Sequence, residues 1–486
     1  MDDAQYENLQ HAIECCRQRN IVIPTFAQFV NPQGTVPDAI KNRLAAIGLN
    51  DLDPANLFRI TWHNEPVEQG GQYGPVNFLE FPPELTGVEA RIIGMVGRWF
   101  PTGAHKVGAA FGCLVPRLVT GRFDPTKHKA VWPSTGNYCR GGAFDSALLG
   151  CDAVAILPEQ MSRERFEWLE HIGAEIIATP GCESNVKEIY DACHDIRRTR
   201  PECIVFNQFE EFGNSVWHYH VTGRAMHEAI RALGDPRLNP AAFVSATGSA
   251  GTIAAGDYLK HTFPNLRITA AEALQCPTLY QFGFGDHRIE GIGDKHVPWI
   301  HNVRNTDMVT AIDDEQCISL FRMFNEPAGR ELLAQLVPER LISQLSLLGI
   351  SSICNLISSI KTARYYGFGK HDCIVTSLTD SADMYRSRLA ELNADRGPYT
   401  HEQAIADRSR WLEDITTDHM RELSMFDRQA LHNFKYFTWV EQQGRSSDEL
   451  NKLWDPDFWT QTYAQVDQWD ELIAEFNRQT GVSTHT

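Results

Sequence analysis

Short apolar segments alternate with longer amphipathic ones through the middle of this chain, and this alternation restricts the fold more than any other feature. The segments 130–132 and 153–157 are two examples. Further strands are predicted at 175–178, 203–206, 243–245, 267–271 and 372–377, with helices ending at 149 and spanning 162–171, 185–197, 215–233 and 252–261. Apolar strands separated by helices form parallel sheets that are covered on both faces. The predicted fold class is therefore α/β, with mostly parallel sheets.

The two ends of the chain do not share this alternation. Before residue 90, helices are predicted at 4–19 and 37–48, and a long loop at 63–88, where Gly, Pro, Asn and Glu are frequent. After residue 385 the chain is polar, acidic and rich in tryptophan, and amphipathic spacing at 401–425 and 461–477 predicts helices. The predicted organisation is an N-terminal segment packing on the core, two α/β lobes and a helical C-terminal extension, with bounds 1–90, 91–210, 211–385 and 386–486.

The charge balance excludes several classes of partner. The 486 residues include 44 Lys and Arg against 62 Asp and Glu, a formal net charge of −18. Binding to a nucleic-acid backbone or to an anionic membrane surface needs clustered positive charge, so neither is expected. No stretch approaches the roughly 20 apolar residues of a membrane helix, and the polar start MDDAQYENLQ does not resemble a signal peptide. Twelve scattered cysteines without a CxxC pair indicate reduced thiols and a cytoplasmic protein.

Ligands of parallel α/β proteins bind at the carboxyl ends of the strands, where the first candidate turn lies. The segment 245–252, SATGSAGT, joins a predicted strand to a predicted helix, and its small residues let backbone N–H groups approach an anion. It lacks the Lys-Ser/Thr of a P-loop and the full GxGxxG of dinucleotide-binding folds. A phosphate monoester therefore fits better than ATP or NAD. A tight turn that needs small residues for steric reasons is the alternative.

Two further turns follow predicted strands, and both are rich in hydroxyl groups. The segment 133–138, PSTGNY, offers side-chain and backbone donors suited to a carboxylate. The segment 377–381, SLTDS, again places hydroxyls at the end of a strand. Capping of a helix N-terminus by the same side chains is the alternative for both turns.

One lysine has unusual surroundings. Lys106 lies in the segment 101–111, PTGAHKVGAAF, among small and apolar residues at the start of a predicted helix. Burial lowers the pKa of a lysine amine and makes it able to act as a nucleophile or to form a Schiff base. A solvated lysine at a helix start is the alternative.

Taken together, these segments resemble the fold-type II enzymes that use pyridoxal 5′-phosphate (PLP), a family that includes the tryptophan synthase β chain. The closest resemblance is to the cysteine synthase and cystathionine β-synthase group. Segment 101–106 is similar to the Pro-Thr-x-Ser-x-Lys segment of that family, and 134–137 resembles its Ser/Thr-Gly-Asn loop. The other similar segments, in the order of the family, are LPEQMSRER at 157–165, NQF at 207–209, GSAGT at 248–252, EGIG at 290–293, GISS at 349–352 and LTDS at 378–381. The resemblance spans about residues 95–390 and implies two lobes with PLP in the cleft between them.

The resemblance implies a role for each matching residue. Lys106 would hold PLP as an internal aldimine and, once freed, remove the Cα proton of the substrate. Asn137 would donate a hydrogen bond to the 3′-oxygen of PLP, and Ser381 would lie against its pyridine nitrogen, with the adjacent Asp380 as the alternative. The phosphate would be held by Gly248, Ser249, Ala250, Gly251 and Thr252. The substrate would be bound by Ser134, Thr135, Gly136, Gln208, Gly291 and Lys295, of which Ser134, Thr135 and Gln208 would hold the α-carboxylate.

These roles imply a reaction at Cβ of a small L-amino acid. A neutral hydroxyl at the ring nitrogen weakens the electron sink, which suits loss of a group from Cβ to give an aminoacrylate. The leading expectation is β-replacement, as in cysteine synthase. The alternative is β-elimination, as in serine/threonine dehydratases, cysteine desulfhydrases or diaminopropionate ammonia-lyases. A homodimer is also expected by resemblance, with the C-terminal extension as interface or lid.

Several features depart from the family pattern. Residue 104 is Ala where the family often has Ser, and 102–106, TGAHK, matches the lysine segment of the tryptophan synthase β chain. The residues Asp294, Lys295 and His296 make the loop after the Gly-Ile-Gly sequence more charged, so a polar or charged substrate is expected there. The stretch 327–346 is longer than usual, and the C-terminal extension matches no heme-binding or nucleotide-binding extension of the family.

Three other hypotheses are weaker. His218 and His220 are two positions apart and do not share a helix face, so a metal site is not expected. An NAD-dependent dehydrogenase lacks its GxGxxG sequence here. A binding or regulatory protein that keeps the PLP fold without turnover remains the third alternative, and the intact Lys106 argues against it.

Overall fold

The strands form two separate sheets in the computed structural model, which describes residues 2–183 and 185–482. In chain order the strands are β1 (Phe78–Phe81), β2 (Arg91–Val96), β3 (Lys129–Pro133), β4 (Ala153–Pro158), β5 (Glu175–Thr179), β6 (Cys203–Val205), β7 (Asn239–Ala246), β8 (Arg267–Ala273), β9 (Met308–Ile312), β10 (Asp372–Leu378) and β11 (Met420–Glu422). The smaller sheet has the order β5-β4-β3-β6, and the larger has the order β1-β2-β10-β7-β8-β9-β11.

Both sheets are mostly parallel, as the alternation of strands and helices predicts. Every pairing in the smaller sheet is parallel. In the larger sheet the pairings from β2 to β9 are parallel, and only the edge strands β1 and β11 pair antiparallel. The parallel strands β2, β8 and β10 are buried along most of their length, whereas the edge strand β5 is partly exposed. The predicted α/β class is confirmed.

Helices cover the sheets and fill both ends of the chain. The α-helices are Asp3–Gln18, Phe26–Val30, Pro32–Thr35, Asp38–Leu44, Pro83–Thr86, Lys106–Leu118, Asn137–Leu148, Arg163–Ile172, Val186–Thr199, Phe212–Trp217, Gly223–Ala232, Ile253–Thr262, Thr278–Gln281, Asp314–Asn325, Pro327–Leu333, Glu339–Gln344, Ile350–Tyr366, Arg386–Arg396, His401–Asp407, Met425–Lys435, Ser447–Lys452 and Pro456–Thr480. Three π-helical segments, His218–Thr222, Arg408–Glu413 and Tyr436–Val440, adjoin α-helices. Ile350–Tyr366 is buried almost throughout against the larger sheet.

Three predictions of local structure are wrong, and two strands are not predicted. The predicted loop 63–88 contains β1, and the predicted helix 37–48 ends at Leu44. The predicted helix 401–425 gives way to β11, because Met420–Glu422 pairs with the edge strand β9. The strands β2 and β9 carry no flanking signal strong enough to identify them from the sequence, although both are buried.

The larger sheet includes two strands, β1 and β2, that come early in the chain. Strands β1 and β2 pair with each other, and β2 pairs with β10, close to the end of the α/β region. The residues just before and within the predicted lobe 91–210 therefore contribute to the sheet that is otherwise built from 239–378. The smaller sheet is formed wholly by residues 129–205.

The C-terminal extension packs against both the N-terminal helix and the loop after residue 296. At the N-terminal helix, Arg17 donates through Nε to the carbonyl of Thr480 at 2.9 Å. At the loop, the buried Lys435 donates through Nζ to the carbonyls of Trp299 at 2.9 Å and His301 at 2.7 Å. The extension is therefore part of the same packed structure as the α/β region.

Close backbone contact between two helices requires glycine at position 112. A Cβ on Gly112, in Lys106–Leu118, would lie 2.4 Å from the carbonyl oxygen of Gly213 in Phe212–Trp217. We expect Gly112→Ala to lower the free energy of unfolding by about 1–3 kcal/mol, because the backbone of the facing helix has to move. Urea denaturation measures this change. The control is Gly369→Ala, where an added Cβ meets no atom within 4 Å; equal stability of the two variants would contradict the packing argument.

Within the described ranges, no single helix has the length and apolarity needed to cross a membrane. The pair Glu339–Leu347 and Ile350–Tyr366, bent by 118°, passes the same test only when both members are counted together.

Candidate active site

Lys106 begins a helix at the bottom of a narrow cavity between the two sheets. The residue before it, His105, is fully buried, with its ring centroid 5.5 Å from that of Trp62 and 5.1 Å from that of His218. Burial lowers the pKa of His105 to about 3, so its ring is neutral beside the lysine. These packed rings fix the backbone from which the Lys106 side chain extends.

The Lys106 amine has polar but uncharged hydrogen-bond partners. Its Nζ lies 3.2 Å from Oγ of Ser249 and 3.5 Å from Oε1 of Gln208. Burial lowers the pKa of Lys106 to about 8, although the nearby Glu183 acts in the opposite direction. At pH 7 about a tenth of the amine is therefore unprotonated, the form that a nucleophile or a base requires.

The cavity brings together most residues that the sequence assigns to cofactor and substrate. Its lining consists of Lys106, Ser134, Thr135, Asn137, Tyr138, Glu183, Gln208, Phe209, Gly248, Ser249, Gly291 and Gly293. Apart from Lys106, which begins the helix Lys106–Leu118, these residues come from the carboxyl ends of β3, β5, β6 and β7 and from the Gly-Ile-Gly loop. Segments far apart in the chain thus meet at the carboxyl ends of the strands, where the ligand sites of parallel sheets lie.

The turn after β7 has the shape of an anion cradle. Ala250 has a positive φ of 62°, and a Cβ on Gly251 would lie 2.0 Å from Oδ1 of Asn214, so both positions need small side chains. A Cβ on Gly248 would have no atom nearer than 3.5 Å, so space remains in front of that residue. Gly251 and Thr252 lead directly into Ile253–Thr262, whose N-terminus favours negative charge. The turn fits the phosphate group of PLP.

Asp380 accepts hydrogen bonds from two side chains, one of which is Asn137, proposed above to hold the PLP ring. Asn137 donates through Nδ2 to Oδ2 of Asp380 at 2.7 Å, and the Tyr385 hydroxyl donates to the same oxygen at 2.7 Å. Burial raises the pKa of Asp380 above its ordinary value. Oδ1 of Asn137 is buried and finds no hydrogen-bond partner in the part of the chain that the structure describes. The amide nitrogen of Asn137 carries a second N–H beside the one given to Asp380, so this side chain can still donate to a bound group. Together with the Lys106 amine and the turn after β7, the residues that line the cavity fit PLP.

Six predicted residues do not line this cavity. Ser381 lines a separate cavity of about 340 Å³ together with Thr102 and Arg140. Lys295 turns its ammonium towards Asp286, with 3.6 Å between Nζ and Oδ1, and also faces the ring of Phe284. Gly136, Ala250, Gly251 and Thr252 lie in the lining turns but do not line the cavity themselves.

Glu183 is the main residue of the site that the sequence reasoning missed. Its carboxyl group is 1 % exposed, lines the Lys106 cavity and also lines an adjoining outer cavity of about 660 Å³. The residue follows β5, so the rule that ligands bind at the carboxyl ends of parallel strands applies to it as it does to the other turns. That signal was present in the sequence, but no matching motif drew attention to it.

A buried ion-pair network joins the two lobes beside the cavity. Arg165, which is fully buried, pairs with Glu290 and donates to the Tyr385 hydroxyl at 3.2 Å. Arg388 pairs with the other oxygen of Glu290, with 2.5 Å between Nε and Oε1. Because Glu290 begins the Gly-Ile-Gly loop, the network fixes one wall of the cavity.

A metal centre has no support in the structure. Across the described residues, no group of three or more His, Cys, Asp or Glu side chains is arranged to hold a metal ion.

Comparison with known proteins gives one consistent result. Residues 99–331 match the family model described as pyridoxal-phosphate dependent enzyme. A probable cysteine synthase of Bacillus subtilis is 28 % identical over 288 residues, which cover 59 % of this chain and 85 % of that protein. The cystathionine beta-synthase of Saccharomyces cerevisiae is 28 % identical over 265 residues, which cover 52 % of each chain.

The fold comparison agrees with the sequence comparison. The crystal structure of a hydrogen sulfide-producing enzyme from Fusobacterium nucleatum superposes with a TM-score of 0.53 at 25 % sequence identity. The match covers 65 % of this chain and 88 % of that one. The matching family model over residues 99–331, the similar relatives and the shared fold together confirm the predicted resemblance to the pyridoxal-phosphate dependent enzymes of fold-type II.

Proposed function

We propose that this enzyme uses PLP to replace a group at Cβ of a small L-amino acid. The observation that carries the proposal is one cavity that holds the Lys106 amine, the hydroxyls of Ser134 and Thr135, the Gln208 amide and the small-residue turn after β7. When bound, PLP supplies the electron sink for the electrons released at Cα. The similarity to cysteine synthases and to a cystathionine beta-synthase supports chemistry at Cβ.

The side chains that line the cavity have separate roles in the proposed reaction. Lys106 Nζ, with its lowered pKa, is the base that takes the proton from Cα of the substrate. Ser134, Thr135 and Gln208 are the donors for the substrate α-carboxylate, and all three are buried. Hydrogen bonds to a charged group away from water are stronger than those at the surface, so these donors fix the orientation of the substrate.

Replacement is favoured over elimination by the adjoining cavity. The outer cavity of about 660 Å³ shares Glu183 with the inner one and gives a second substrate a place to approach Cβ. An enzyme that only eliminates needs no such site. β-Elimination to a keto acid and ammonia is the competing function, and the product assay below distinguishes the two.

The proposal includes a homodimer in the cytoplasm, with lobes close to residues 91–210 and 211–385. Among the described residues, Phe284 and Phe426 are 76 % and 84 % exposed, and the rings of Phe282 and Phe437 each lie near that of Phe434. An exposed aromatic surface of this kind is typical of contacts between subunits. Light scattering is expected to give twice the mass of the chain.

Product analysis tests the proposed function. The purified enzyme, reconstituted with PLP, is incubated with L-serine, L-cysteine, O-acetyl-L-serine or β-chloro-L-alanine, with and without a thiol. We expect a yellow protein that forms a new thioether or thiol amino acid and little pyruvate. Pyruvate and ammonia as the main products would establish elimination instead. A protein that stays colourless with added PLP and converts none of these amino acids would contradict both functions.

A further inference from the structure

The carboxyl group of Glu183 lies in a cavity whose other polar lining groups are hydroxyls, amides and the Lys106 amine. Neither of its oxygens has a hydrogen-bond partner of normal geometry within residues 2–183 and 185–482, although the Thr135 side chain and the Gly291 backbone are near enough to lower its pKa. The nearest cation, Nη1 of Arg165, lies 4.0 Å from Oε2, but Arg165 is more closely paired with Glu290. A buried carboxyl without such partners is costly as a charge, and it is therefore available to a ligand.

Glu183 shares the inner cavity with Lys106 and with the proposed α-carboxylate donors Ser134 and Thr135. In the proposed function, a second substrate reaches Cβ from the outer cavity. Glu183 lies where the inner and outer cavities meet, on the path of whatever leaves or reaches Cβ.

We propose that Glu183 is the proton donor to the group that leaves Cβ and the proton acceptor from the nucleophile that replaces it. This inference rests on the proposed function of the site. It adds a catalytic residue and restricts the substrate to leaving groups that depart as neutral acids, such as water or a thiol.

The proton and electron balance of this cycle closes. Lys106 takes the proton from Cα, and the electron pair of that bond forms the Cα–Cβ double bond as the bond from Cβ to the leaving group breaks. The leaving group keeps the electron pair of the broken bond, takes the proton of the Glu183 carboxylic acid and departs as a neutral molecule. An incoming thiol then adds its sulfur to Cβ and gives its proton to the Glu183 carboxylate, while Lys106 returns the first proton to Cα.

Electrostatics around Glu183 support both protonation states. Burial raises the pKa of Glu183 to about 8, with Arg165 opposing the shift and Glu290 adding to it. The carboxyl group is thus protonated before the first step at neutral pH. Its pKa is also close enough to neutrality for efficient proton transfer in either direction.

The test compares a leaving group that needs a proton with one that does not. Chloride leaves β-chloro-L-alanine as a stable anion, whereas the hydroxyl of L-serine and the thiol of L-cysteine leave more readily when protonated. We expect Glu183→Gln to lower turnover of L-serine and L-cysteine by about 100-fold or more, and to change that of β-chloro-L-alanine by less than about threefold. Glu183→Asp should restore part of the lost rate. Glu170→Gln is the matched control, because Glu170 is exposed and lines neither cavity.

Two further measurements exclude a merely structural role. Exchange of the substrate Cα proton in D₂O, followed by NMR, is expected to persist in Glu183→Gln, since Lys106 carries that step. The folded pKa of about 8 lies above the ordinary 4.5, so the folded wild type holds its extra proton between these values and loses stability as pH rises through them. Glu183→Gln should therefore gain melting temperature relative to wild type from pH 5 to pH 8.

Three outcomes distinguish a failure of the role proposed for Glu183 from a failure of the proposed function. Equal losses on all substrates, or no loss on any, would overturn the role of Glu183 and leave the proposed function standing. A melting-temperature difference that does not change with pH would also contradict a protonated carboxyl. A wild type that converts none of the three amino acids would refute the proposed function, and this inference would fall with it.

Discussion

Replacing Lys106 by alanine is expected to lower turnover of any amino-acid substrate by about 10³-fold or more, the largest effect predicted for a single residue of this enzyme. In the proposed function the amine is both the attachment point of the cofactor and the base at Cα. Its hydrogen-bond neighbours Ser249 and Gln208 carry no group that could replace either function.

Reduction with borohydride gives a measurement independent of turnover. In wild type, reduction should fix PLP to the chain, and peptide mass spectrometry should locate it on Lys106. Lys106→Ala should gain no covalent PLP. Lys361→Ala is the matched control, because Lys361 is also buried but pairs with Asp418 away from the cavity, with 2.6 Å between Nζ and Oδ1. Covalent PLP on the Lys106→Ala chain would contradict the assignment.

The largest effect on stability is expected from Arg165→Met. This change leaves Glu290 buried with one cation, Arg388, instead of two, and removes the hydrogen bond to Tyr385. Removal of one partner from a buried ion pair typically costs 3–5 kcal/mol. Because Arg388 remains, we expect a loss of about 3 kcal/mol in the free energy of unfolding, measured by urea denaturation at pH 7.

A surface ion pair supplies the control for this variant. Arg198 and Asp195 lie 2.8 Å apart, but their side chains are 76 % and 69 % exposed. Exposed pairs contribute at most about 1 kcal/mol, so Arg198→Met should have almost no effect. If Arg165→Met were as stable as Arg198→Met, the network between the lobes would not hold the Gly-Ile-Gly loop in place.

The buried parallel strands could be predicted because each is a run of consecutive apolar residues. Strands such as β4 are apolar along their whole length, and no other common element has that pattern between helices. The edge strands are different. Strand β11 exists because Met420–Glu422 meets the free edge of β9, and this contact depends on residues more than 100 positions away.

The candidate site shows the same division between local and distant causes. Lys106, Asn137 and the turn after β7 carry local sequence patterns, and the structure brings them to one cavity. The orientation of Lys295 could not be predicted, because it depends on Asp286 and Phe284 folding back beneath it. The isolation of Glu183 depends on Arg165 being paired elsewhere, which no local pattern reveals.

The contact between the N-terminal segment and the last helix has a consequence for synthesis of the chain. Ile23 and Asn477 exchange two hydrogen bonds across 454 positions, and the backbone N–H of Phe26 donates to Asp470. At about 5–20 residues per second, the ribosome needs roughly 20 to 90 s to make the intervening chain. During that time the backbone groups of Ile23 and Phe26 lack these partners, so this segment reaches its final hydrogen bonding only after the last helix has been made.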